Sequence, residues 1–508
     1  MPASSDPENY SIDEIMERLK SRQDGDAADG GELVTRADGS KAIRVRKRKR
    51  RTDQPLKEAR KQTMRSRMFQ VSAMLILLLL ALLVAGAAIT YANSSVFRES
   101  LIQKITLCTG AKPELREFRV NPSSANASGM LLTWPEGNAL QTLSLTGIKA
   151  NINASSFLNQ SFAGEEVVAA SGTLTLKSPQ SNSAARDVPA SSDPLPIRFS
   201  RYAVDKLQVV IGDAKMPAIQ LQNSECSFYP VTPIGLAQLL LTRGDITIGG
   251  WPKFILDRSH MEFRGSELDI VRMRLRDETD KNGFLELSGT VSPYNPNQTS
   301  TLAVKLESYP LIGLIGPNFG KLISGKIDTQ TVVKSNFLTF TPAADCNPVL
   351  AIAFTNNLMS TFEIKGFPFL FGLSQTTKDD WFVNPVFEAE SSGTLRRQTD
   401  QVSLSDLKLE NKERMALRGS VSMKSNKNLE GTLEVGLTEP MIKSSENKRL
   451  DAMFGPQMEG FRWLTLKIGG TTISPSDNFK ELYDLASPKK PEAQNTEIPS
   501  FEELTKPD

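Results

Sequence analysis

The hydropathy pattern of the chain changes twice. Residues 1–67 are mostly polar and charged, and an unbroken apolar run centred on Val71–Ile89 follows. Beyond a short helical stretch, alternation takes over as far as residue 478. Val271-Arg-Met-Arg-Leu275 and Leu285-Glu-Leu-Ser-Gly289 are clear instances, and Leu143–Gly147, Leu207–Ile211 and Asp245–Ile248 are short runs with β propensity. Period-two alternation puts apolar side chains on one face of a strand and polar ones on the other. Turn residues separate the runs at the spacing of all-β folds. The predicted fold class is mainly β. One N-terminal transmembrane helix precedes an elongated, curled antiparallel β-sheet, an open groove or taco-like form with short helical insertions.

A glycine phrase recurs at the mouths of these runs: Ser171-Gly172-Thr173-Leu174, Ser288-Gly289-Thr290-Val291, Ser392-Gly393-Thr394-Leu395 and Arg418-Gly419-Ser420-Val421. Glycine weakens a strand unless a bend or a close backbone approach is needed. Its repetition predicts one sheet that bends repeatedly. A larger unit repeats too. Leu268–Leu275, Gly283–Val291 and Ser300–Leu306 read as a three-strand meander, and Val402–Leu409, Arg414–Val421 and Glu430–Leu437 as a second. Each passes into a proline-marked segment, Tyr309-Pro310 and Glu439-Pro440. Such repetition predicts units that stack to share a core. Helix is expected near 96–107, 310–318 and 440–455. The apolar insertions Pro310–Pro317 and Phe367–Leu373 read either as plugs on the sheet or as membrane contacts.

The apolar run has the ~20 residues that a helix needs to cross a bilayer, and no polar face. Thr90-Tyr91-Ala92 resembles a weak cleavage site, but the preceding arm is too long for a signal peptide. Residues 36–67 hold 14 Lys+Arg against three acids. The positive-inside rule then puts the N-terminus in the cytoplasm and the body outside it. The expected localisation is a bacterial inner membrane, single-pass, with the body in the periplasm. The predicted domains are 1–67 (cytoplasmic, mostly disordered), 68–92 (the span), 93–264 and 265–478 (two β segments) and 479–508 (a disordered tail).

Within the arm, Arg44, Arg46, Lys47, Arg48, Lys49, Arg50 and Arg51 form a basic cluster. Its place beside the span favours anionic lipid over nucleic acid, and no nucleic-acid partner is expected. Residues 11–20 can form a short amphipathic helix with a Ser11/Glu14 capping box, either frayed or docked on a cytoplasmic partner. Glu32–Arg36 and Lys41–Val45 flank a turn signal and can close a hairpin.

Candidate chemistry is sparse. The chain has one histidine, His260, and three cysteines, Cys108, Cys226 and Cys346, which allow one disulfide or three free thiols. No nucleophile elbow, phosphate loop, dinucleotide fingerprint or metal spacing occurs. No enzyme activity, metal or cofactor is expected.

The closing phrase Leu464-Thr-Leu-Lys-Ile-Gly-Gly-Thr-Thr-Ile-Ser-Pro475 follows the 402–437 meander and the intervening segment Met441–Phe461. With the N-terminal span, this layout resembles the AsmA-like family, which includes TamB-type members. The likeness is best over 265–478 and looser over 93–264. It implies an apolar β-groove that handles or transports phospholipid between envelope membranes, with no catalytic residues. The chain is shorter than the largest members, so full envelope bridging does not carry over. The groove candidates are alternating positions: Leu275, Leu285, Leu287, Leu407, Leu409, Leu417, Leu433 and Val435. The alternative function is a structural or assembly factor whose β body binds another envelope protein.

Overall fold

The computed structural model describes residues 32–35, 37–39, 41–44, 54–136, 140–153, 162–176, 197–213, 217–230, 236–265, 267–292, 298–329, 336–341, 347–356, 360–387 and 391–486. The 11–20 segment, Arg46–Arg51, Cys346 and the tail beyond residue 486 lie outside them. The chain divides into two units, residues 1–83 and 84–508.

In the first unit, β1 (Glu32–Thr35) and β2 (Lys41–Arg44) pair antiparallel, the hairpin that the turn signal predicts. Helix α1 (Gln54–Ala92) follows. Its Ser72–Ala92 stretch of 21 residues is long and apolar enough to cross a membrane. At ~1.5 Å per residue it matches the ~30 Å hydrocarbon core of a bilayer. The arm was expected to be mostly disordered up to residue 67, but helix already begins at Gln54.

The last turns of α1 belong to the second unit. Ala92 is buried there, and Asn93 grips the backbone of Val120. Its Nδ2 donates to the Val120 carbonyl at 2.8 Å, and its Oδ1 accepts from the Val120 amide at 2.8 Å. Asn93→Ala should leave that amide and carbonyl without partners, at a cost of about 1–3 kcal/mol. A lower melting temperature with faster amide exchange at Val120 is the expected result. Ser94 then caps α2 (Ser95–Thr109).

After α2 the chain builds one ladder. Its first position is shared by β3 (Lys112–Arg116) and β4 (Arg119–Val120). Then come β5 (Ser124–Thr133), β6 (Leu140–Ile152), β7 (Phe162–Leu176), β8 (Ile197–Gly212) and β9 (Pro217–Tyr229). β10 (Ala237–Thr242) and β11 (Asp245–Ile248) share the next position, between β9 and β12 (Phe254–Arg264). The meander β13 (Glu267–Asp277), β14 (Phe284–Val291) and β15 (Ser300–Glu307) follows, with β16 (Tyr309–Pro310) at its end. β17 (Ile323–Ser324) leaves the ladder for a small three-stranded sheet. β18 (Lys326–Thr329) and β19 (Phe337–Phe340) share a position beside β20 (Val349–Asn356). β21 (Phe362–Ile364) and β22 (Val386–Phe387) complete the small sheet. β23 (Ser392–Arg397) leads to the second meander, β24 (Gln401–Asn411), β25 (Met415–Lys424) and β26 (Leu429–Thr438). β27 (Gln457–Met458), β28 (Phe461–Gly470) and β29 (Pro475–Asp477) finish it.

Small rings in the pairing occur where two short strands share one position. Among the described residues no pairing joins the β3/β4 edge to the β28/β29 edge, so the ladder is open. It is nevertheless curled. The carbonyl of Gly250, just after β11, accepts from Arg397 at the end of β23. β12 and β23 are six steps apart along the ladder. A flat sheet would hold them about 29 Å apart at ~4.8 Å per step. The sheet between them must roll up for the contact to form.

Both repeated meanders are present and antiparallel. Each has its ladder irregularity beside the repeated glycine. The register shifts between Ile270 and Met273, next to Gly289, and between Leu404 and Leu407, next to Gly419. Both glycines take positive φ, 138° and 126°. The bend that the glycine phrase predicts is therefore built at these two places.

The structure departs from an all-antiparallel sheet at one seam. β7 and β8 run parallel over twelve residue pairs, from Phe162↔Ile197 to Leu176↔Ile211. Helices α3 (Ile312–Ile315), α4 (Pro317–Gly320), α6 (Glu439–Ser444) and α7 (Lys448–Met453) fall where helix was expected. Two others were not expected. α5 (Pro368–Thr377) forms from the apolar insertion, burying Phe369, Leu370 and Leu373. α8 (Phe479–Leu485) stands where the tail was expected to be disordered. Asp477 ties the two helices together, accepting from the Phe369 amide at 2.6 Å and the Phe479 amide at 3.0 Å.

Candidate functional site: a half-covered apolar face

The apolar face of the ladder is closed at one end and half open at the other. From β8 onward inward side chains merge into one core with α3, α5, α6, α7 and α8, and it is deepest from β12 on. All eight groove candidates lie in that core. Leu407, Leu409, Leu417, Leu433 and Val435 are at most 1% exposed, and Leu275, Leu285 and Leu287 at most 5%. The sequence pattern therefore located core-filling residues. Phe369, Leu373, Ile442 and Leu450 supply the cover on that side.

On β6 to β11 the same face is only partly covered. Leu221 and Leu241 are buried in that core, and Val204, Val209, Cys226 and Ile246 pack against its margin. Leu143 and Ile148 pack against a second core that includes Leu101 and Ile105 of α2. Pairing aligns the side chains of this face in rows. One row runs Leu143, Leu174, Val209, Leu221 and Ile246. Another runs Ile148, Ala169, Val204, Cys226 and Leu241. Leu143, Ile148, Leu174, Val204, Val209, Cys226 and Ile246 are half-buried, and Ala169, Leu221 and Leu241 are buried. The opposite face carries Ser144, Thr173, Gln208, Gln220 and Thr247, as alternation requires. Further along the ladder that outer face is laced by ion pairs, including Arg272 and Arg274 to Glu286 and Arg276 to Asp257.

A chain of rings borders this face. Tyr91, in the last turn of α1, lies 5.7 Å from Phe97. Contacts then pass from Phe97 to Phe162 (6.4 Å), Phe199 (5.6 Å), Tyr202 (5.9 Å), Phe228 (6.2 Å) and Phe263 (5.9 Å). These centroid spacings are those of attractive aromatic pairs. The track links the exit of the apolar helix to the half-covered face as far as β12. Its members come from six separate elements, and no sequence spacing announces it.

Among the described residues no cluster of three or more His, Cys, Asp or Glu side chains is placed to hold a metal ion. His260 faces Glu262 at 3.7 Å on a half-exposed strand position. Cys108 and Cys226 are free thiols, and burial pushes Cys226 up to about 11. At that value it is protonated and a poor nucleophile at neutral pH.

No family model, curated protein or solved structure matches the chain. What the fold defines is a class: a mainly β body, built on a large curled sheet, that follows the one candidate membrane-spanning helix among the described residues.

Proposed function

We propose that the protein is a single-pass membrane anchor carrying a β body that holds phospholipid acyl chains on the half-covered face of β6 to β11. The observation that carries this reading is the continuity of that face. Apolar rows cross five ladder positions with most of their side chains only half-buried, and an aromatic track joins them to the end of the apolar helix. A face of this size on a soluble surface marks a binding site. Each acyl CH₂ moved from water onto it contributes about 0.8 kcal/mol, so retention needs no single specific residue. The basic arm puts the N-terminus in the cytoplasm and the body in the periplasm of a bacterial envelope. The AsmA-like resemblance agrees with this reading and extends it to transfer between envelope membranes.

The test is extraction of the full chain, purified in a mild detergent, followed by mass spectrometry. Photoreactive side chains at Val209 and Leu174 should crosslink to phospholipid, and one at Leu417 should not. Crosslinking of Val209 and Leu174 to a protein, with no lipid recovered, would favour the assembly-factor reading instead.

A further inference from the structure

A second site lies where the sheet rolls onto itself. The turn after β11, the α3–α4 junction, the β23–β24 turn and the β25–β26 turn enclose a pocket of about 250 Å³. Arg397 lines it and is only 5% exposed. Its guanidinium donates to the carbonyls of Leu314 (3.2 Å), Ile315 (3.1 Å) and Gly250. Among the described residues no carboxylate forms an ion pair with it, although Asp400 lies on the pocket wall. Burial pushes the group down to about 10, so it remains a cation at neutral pH.

Two of the residues that line the pocket each hold a buried N–H donor with no hydrogen-bond partner, Arg397 Nε and Trp251 Nε1. The Trp251 ring stands 5.6 Å from the guanidinium. Lys424 and Lys427 also line the pocket; Lys424 is paired with Glu430 at 3.1 Å, which leaves Arg397 and Lys427 as the cations facing the single lining acid Asp400. A desolvated cation held only by carbonyl dipoles has no countercharge, and an entering anion supplies one.

We propose that this pocket binds a phosphate-type oxyanion, with Arg397 as the buried cation and Trp251 as a neutral donor beside it. A guanidinium fork suits phosphate oxygens, and the other donors reach the pocket from separate turns, which suits a tetrahedral acceptor. The anion is either free phosphate or the phosphodiester of a lipid headgroup. The site does not depend on the apolar face holding lipid.

The test is calorimetric titration of the full chain in neutral detergent, at constant ionic strength. The probes are inorganic phosphate and glycerophosphoethanolamine, a headgroup phosphodiester without acyl chains. Saturable binding is expected. Tighter binding of the diester identifies a headgroup source, and tighter binding of phosphate identifies the free ion. Arg397→Lys should weaken binding ~10-fold or more, the loss of one charge-assisted contact. Trp251→Phe and Lys427→Gln keep the packing and should each weaken it several-fold at an unchanged melting temperature. No saturable binding of either probe overturns the proposal. So does undiminished binding in both folded variants.

Discussion

Leu417→Arg is expected to prevent the body from folding, whereas Val209→Arg is expected to yield folded protein that carries less lipid. Leu417 is fully buried between Leu409 and Val435, inside the core that α5 and α6 cover. An arginine there cannot reach water, and an unpaired buried charge costs several kcal/mol. That is a large share of the ~5–15 kcal/mol that stabilises a typical domain. Val209 sits between Leu174 and Leu221 on the half-covered face, where an arginine stem can lie along the sheet with its head in water. A thermal melt read beside the lipid-to-protein ratio separates the cases. A folded Leu417→Arg, or an unfolded Val209→Arg, would reverse the assignment of closed and open faces. Leu287, 5% exposed, should behave as Leu417 does.

The second large effect is expected at Gly419. A Cβ there would stand 2.2 Å from the Thr432 carbonyl oxygen and 3.1 Å from the Leu433 Cα, both backbone atoms of the neighbouring strand. The φ of 126° alone costs a side-chain-bearing residue about 1–3 kcal/mol. Gly419→Ala should lose more than that, because β25 and β26 must separate to admit the methyl group. Gly265→Ala is the internal control. Its φ is also positive, but nothing lies within 4 Å of the added Cβ. Urea midpoints should fall far more for Gly419→Ala. Equal shifts would remove the close approach as the reason for the glycine.

Alternation made the strands legible, and the glycine phrase marked the two bends where Gly289 and Gly419 sit. Strand direction was not legible. Period-two patterning is the same in parallel and antiparallel pairs, so nothing in 162–212 announced the β7–β8 seam. The helix at Pro368–Thr377 was hidden because a short apolar run fits a buried helix or strand equally well. That the eight groove candidates are buried core residues was hidden for a related reason. Leu417 and Val209 show the same inward parity, and only the depth of packing over each distinguishes the centre of the core from its half-buried margin. Arg397 carried a readable signal. It shares parity with Gly393 and Leu395, so the strand points a charge inward beside a buried leucine.

The parallel seam also sets the order in which the body can assemble. Every other neighbouring pair in the ladder is antiparallel, and most are joined by short turns that close quickly. β8 can dock only after the twenty residues between Leu176 and Ile197 have brought it back to the start of β7. In a chain made from its N-terminus, β3 to β7 can zip up first. They then wait with the fifteen-residue edge of β7 unpaired. An open edge of that length is a template for the wrong strand. The vulnerable moment in the biogenesis of this protein is therefore the interval between β7 and β8.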